Sequence, residues 1–109
     1  MTTIEKGNGV LTLVNVFTVD QDKQDQLVDL LVRATNEVMK RQPGFVSASI
    51  HRSLDGKKVV NYAQWASLEM FEAMKRNDEA ASHMKAAASL ATFDPILCSV
   101  SETIGAGPR

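Results

Sequence analysis

The chain has 109 residues, 44% hydrophobic and 23% charged, with a net charge of −1. That length supports one domain with a single core, and the near-neutral balance with no basic patch excludes nucleic acid or an anionic membrane as the main partner. No apolar run approaches the ~20 residues of a membrane span, residues 1–9 lack the apolar centre of a signal peptide, and the lone Cys98 can close no internal disulfide, so a cytoplasmic location is expected.

Residues 1–9 read as a loose N-terminus, 10–104 as the domain and 105–109 as a loose C-terminus. Val10–Val19 alternates as a strand whose two faces, Leu11, Leu13, Asn15 and Phe17 against Val10, Thr12, Val14 and Val16, are both largely apolar. One small core covers one face, so a second subunit is expected on the other. Asp20 reads as an N-cap, and Leu27, Leu30, Leu31, Ala34 and Val38 recur at helical spacing, predicting one helix from about Gln21 to Arg41 that Pro43-Gly44 stops. Phe45–Arg52 is the next strand, with Phe45, Ser47, Ser49 and His51 opposite Val46, Ala48, Ile50 and Arg52. Asp55-Gly56 signals a tight hairpin turn in which both residues tolerate positive φ.

The strand after that turn carries Val59, Asn61, Ala63 and Trp65 on one face and Val60, Tyr62 and Gln64 on the other. Four hydrogen-bonding side chains fall within its last five positions, and each needs a partner when buried. That cost marks the strand as the place to look for function. Asn61 and Trp65, on a shared face, are expected roughly 6–7 Å apart along the strand. Ser67 caps a short helix through Leu68, Phe71 and Met74. Asn77 or Asp78 starts another, which runs to about Leu90 and is broken by Asp94-Pro95, and Ile96–Ile104 is the last strand. The order is strand, helix, strand, strand, helix, strand: an α+β, ferredoxin-like split βαβ with a four-stranded antiparallel sheet.

The run from Pro43 to Ser53, then Asp55-Gly56, then Val59 to Trp65, together with Asn15 and Phe93-Asp94-Pro95, resembles the antibiotic biosynthesis monooxygenase family. The resemblance implies a dimeric α+β barrel with a pocket between sheet and helices. It also implies a cofactor-independent monooxygenase that uses molecular oxygen on an electron-rich phenol, anthrone or enolisable small molecule. By the same resemblance, Asn61, Tyr62 and Trp65 belong to the pocket, while Phe71 and Lys85 stand where quinone-forming members carry a Tyr and an Arg. A haem-degrading branch would match Asn15 and His83, but Met74 stands at the place of its Trp. A non-catalytic binding module is the reading from another class.

On this basis Asn61 and Trp65 are the candidate catalytic residues, donating hydrogen bonds to a substrate anion as an oxyanion hole does. Asn15, Phe17, Tyr62, Phe71 and His83 are the candidate substrate-binding residues, with Leu13 as a further apolar wall. No cofactor or metal is expected: there is no clustered His, Asp and Glu set and no Gly-rich phosphate loop. His51 reads as exposed near a hairpin end and Cys98 as an inert thiol.

Overall fold

The structure, a computed structural model, describes residues 1–108. It is α+β: β1 (Leu11–Val19), α1 (Gln24–Glu37), β2 (Phe45–Arg52), β3 (Lys58–Trp65), α2 (Leu68–Lys75), α3 (Asp78–Leu90) and β4 (Ala91–Cys98). The four strands form one antiparallel sheet in the order β2-β3-β1-β4, the expected ferredoxin-like arrangement.

The single long first helix is divided. Gln21–Lys23 and Met39–Arg41 are short 3₁₀ turns flanking α1. Asp20 makes no side-chain capping bond, so the first turn is not held in α geometry from Gln21. At the far end Val38, at φ −126° and ψ −59°, takes the chain out of the helix. The two later helices start as their sequences dictate. Ser67 Oγ accepts from Met70 N at 3.2 Å and Asn77 Oδ1 from Ala80 N at 3.0 Å.

The hairpin is wider than Asp55-Gly56 alone suggests. Ser53 to Lys57 connect the strands, and only Gly56 has positive φ, at +78°. Asp55 serves as an acceptor instead, taking bonds from Ser53 Oγ at 2.7 Å and Lys57 N at 2.9 Å. These, Ser53 first, hold its carboxyl below the ordinary carboxylate range. The buried Gln24 ties α1 to this loop through bonds to Ser53 O at 3.1 Å and Lys58 O at 2.9 Å.

A β-bulge at Val46 corrects the expected faces of β2. Phe45 pairs with Trp65, Ser47 with Gln64 and Ala48 with Ala63, so one residue of β2 is extra. The extra residue puts Phe45 on the same face as Ala48 and Ile50 rather than opposite them. The last strand is corrected too. It starts at Ala91, directly after α3, and ends at Cys98, so Asp94-Pro95 lies inside it and Ile104 beyond it. Pro95 is tolerated because β4 is an edge strand, where a missing N–H need not break a second ladder.

Helices cover one face of the sheet in two apolar clusters. The first joins Leu13, Ala63 and Trp65 of the sheet to Val38, Phe71, Met74 and Ala80. The second joins Phe17, Val19 and Val59 to Leu27, Leu31 and Ala87. The opposite face carries Val14, Val16, Val60, Tyr62 and Ile96, all only partly buried or exposed. Thr2 and Thr3 reach one end of it: Thr2 Oγ1 lies 3.0 Å from Ser47 Oγ, and Gln64 Nε2 donates to Thr3 O at 2.7 Å.

Gly44 ends the α1–β2 connection at φ +85°, and a Cβ there would lie 2.5 Å from Met70 Cβ. Gly44→Ala therefore meets both an unfavourable backbone conformation and the α2 side chain packed over it. The expected cost is about 2–3 kcal/mol. Thermal unfolding followed by circular dichroism should show a melting temperature lower by about 10 °C.

Candidate active site

A cavity of about 270 Å³ lies between the sheet and the helices, bounded by both clusters. Leu13, Asn15 and Phe17 of β1, Asn61, Ala63 and Trp65 of β3, and Phe93, Pro95 and Leu97 of β4 line it from the sheet. Strand alternation explains the set: the three strands pair in register, so these odd-numbered residues share one face. From the helices come Leu31, Ala34 and Thr35 of α1, Phe71, Glu72, Met74 and Lys75 of α2, and His83, Met84 and Ala87 of α3.

On the sheet side the lining is apolar except for one row across the floor. Asn15 and Asn61 are direct cross-strand partners, with Pro95 beside Asn15 and Ile50 beside Asn61. Oδ1 of each asparagine is buried without a hydrogen-bond partner. A buried carbonyl oxygen left unpaired costs roughly 1–3 kcal/mol. Two such atoms on neighbouring strands, both in the wall of one cavity, mark a place prepared for a polar ligand group. A carboxamide can accept a hydrogen bond through Oδ1 or donate through Nδ2, so the pair can meet a hydroxyl or its anion.

Trp65 forms the end wall. It is 2% exposed and meets Phe45 edge-on, with ring centroids 5.5 Å apart, and Phe71 at 6.0 Å. Its distance from Asn61 corrects the expected one. Ala63 stands between them on the same face, so the pair is two pleat repeats apart, about 13 Å along the strand. Asn15, directly opposite on β1, is the nearer polar neighbour of Asn61, and Trp65 closes the cavity four residues further along β3.

The other candidate residues divide cleanly. Phe17, Phe71 and His83 line the cavity beside Asn15 and Asn61. Tyr62 does not: alternation along β3 turns it to the opposite sheet face, where it pairs with Val14 and Ser49. Lys85 is exposed and off the lining. Glu72 and Lys75, which sequence reasoning missed, meet at 2.7 Å on the cavity wall, with Lys75 Nζ 5.3 Å from the Phe71 ring centre. Their spacing of three residues on α2 was the available signal. Among the described residues no group of three or more His, Cys, Asp or Glu side chains is placed to hold a metal ion.

Comparison with known proteins gives this geometry a context. The sequence profile described as antibiotic biosynthesis monooxygenase matches residues 10–88. Tetracenomycin-F1 monooxygenase of Streptomyces glaucescens is 43% identical over 106 residues, covering 97% of this chain and 95% of that one. An ActVA-Orf6 monooxygenase from Streptomyces coelicolor, solved with nanaomycin D, is 30% identical with a TM-score of 0.76, covering 89% of this chain and 92% of its own. SnoaB, a cofactor-independent oxygenase from Streptomyces nogalater solved as an asparagine-to-alanine variant, is 26% identical with a TM-score of 0.79, covering 88% and 97%. These relatives set aside the non-catalytic reading: the chain belongs to the antibiotic biosynthesis monooxygenase family and is a monooxygenase.

Proposed function

We propose that this enzyme oxidises a polycyclic phenol or anthrone to a quinone with molecular oxygen and without a cofactor. The observation that carries the reading is the Asn15–Asn61 pair, two neutral carboxamides facing each other across adjacent strands in the cavity floor, whose Nδ2 groups can donate to an oxygen substituent. A flat apolar substrate fits the walls of Phe17, Phe71 and Trp65, and one oxygen substituent meets the amides. Ground-state oxygen is a triplet and reacts slowly with closed-shell molecules, but an electron-rich carbanion or phenolate can give it one electron directly. The protein's part is then to remove a proton and hold the anion. Neutral donors in a dry site favour that anion, each by roughly 3–4 kcal/mol at most. The names of the similar proteins, two monooxygenases and a cofactor-independent oxygenase, support the same chemistry. Met74, where the haem-degrading branch carries a Trp, disfavours that alternative.

Chelator-treated protein should consume one O₂ per anthrone and release the anthraquinone, followed by an oxygen electrode and by absorbance. A rate that vanishes on chelation and returns with iron or with a flavin would overturn the reading.

The working unit is a homodimer joined through the sheet face opposite the cavity. Val14, Val16, Val60, Tyr62 and Ile96 lie there, and Ile96 keeps 43% of its surface exposed in the single chain. Burial above ~2,000 Å² in total is expected. Light scattering should give twice the 11.9 kDa chain mass at micromolar concentration, and Val60→Lys should give the monomer.

A further inference from the structure

We propose that His83 is the base that takes the proton from the bound substrate, a step that rests on the oxygen-dependent oxidation argued above. The placement follows from α3. Ala80, His83, Met84 and Ala87 recur at helical spacing, so they share one face. Ala80 belongs to the apolar cluster around Trp65, and Ala87 to the cluster around Phe17. His83 is therefore set between the two clusters. On the sheet the same interval is held by Asn15, between Leu13 and Phe17, and by Asn61, between Val59 and Ala63. His83 lines the helix side of the cavity, and the two amides line its sheet side.

The other titratable side chains on the cavity wall are Glu72 and Lys75, both from α2, and they are committed to each other in an ion pair. The residues that α1, β1, β3 and β4 contribute to the wall are not titratable. His83 makes no ion pair among the described residues. It is half-buried, and a neutral imidazole carries a ring nitrogen able to accept a proton, as a general base requires.

The step balances with oxygen as the second substrate. A ring nitrogen of His83 takes one proton from the methylene of the anthrone, leaving a carbanion whose charge is delocalised onto the oxygen held by Asn15 and Asn61. The carbanion gives one electron to O₂, and the resulting radical and superoxide combine to form a C–O bond. The imidazolium returns its proton to the peroxide. Loss of the second methylene proton with hydroxide then cleaves the O–O bond, giving the ketone and water.

His83→Gln keeps a good helix former at a half-buried position, and circular dichroism establishes that it folds. The expected result is a kcat lower by ~10²-fold or more, a KM within a few-fold of wild type, and loss of the acid limb of the kcat/KM profile. Added imidazole should restore turnover to His83→Ala. A variant that keeps the wild-type rate and pH profile overturns the proposal. A binding readout separates it from the oxygenase reading. Wild type should bind a hydroxyanthraquinone in its ionised, red-shifted form, and His83→Gln in its neutral form. Identical spectra overturn the base. Ionisation through His83 in an enzyme that turns over no anthrone supports the base and removes the oxygenase reading.

Discussion

Asn61→Ala lowers kcat by ~10²-fold or more while the protein keeps its fold, because the amide is needed only once negative charge develops beside it. Single-turnover oxidation of an anthrone is the direct measurement. The same residue gives an unusual second expectation. Its Oδ1 is buried and no protein group bonds it, and a buried carbonyl left unpaired costs roughly 1–3 kcal/mol. Asn61→Leu fills similar space with no polar atom, so it should melt higher by about 4 °C or more while losing activity. A purely structural asparagine would behave in the opposite way, losing stability when replaced and leaving the rate alone. If Asn61→Ala keeps the wild-type rate, the amide row is not the anion site.

Trp65→Ala removes the largest side chain in the wall, 2% exposed and in edge contact with Phe45 and Phe71. The expected loss is about 3–5 kcal/mol, a large part of the 5–15 kcal/mol that stabilises a domain of this size. Denaturant unfolding should place its midpoint far below wild type. Trp65→Phe keeps most of the volume and removes the indole N–H. It should cost much less stability and lower the rate more than it weakens substrate binding. The two variants separate wall from donor. Equal kinetics for Trp65→Phe and wild type would leave Trp65 as a wall alone.

The order of elements and the shared face of Asn61 and Trp65 were legible because both rest on local periodicity. Hydrophobic spacing of two or of three and four residues survives folding unchanged. What was not legible depends on partners distant in sequence. The Val46 bulge exists only relative to β3, since the extra residue is defined by what it fails to oppose. Asp94-Pro95 looks like a break in a chain read alone, and it is admissible in β4 only because that strand ends on the sheet edge. The opposition of Asn15 and Asn61 is a register fact, fixed by pairing residues 46 positions apart. Tyr62 shows the reverse. Its pocket role came from resemblance, whereas simple alternation already turned it to the other face.

Both rims of the sheet carry an interruption: the Val46 bulge on β2 and the donorless Pro95 on β4. A strand from a neighbouring molecule needs an unbroken ladder of amide groups to add itself there. Each rim denies it one, so open-ended stacking into fibres is blocked at both sides of the sheet. A sheet blunted at both rims resists the ribbon-like aggregation to which small sheet proteins are prone. Pro95→Val should be the change that brings that hazard back.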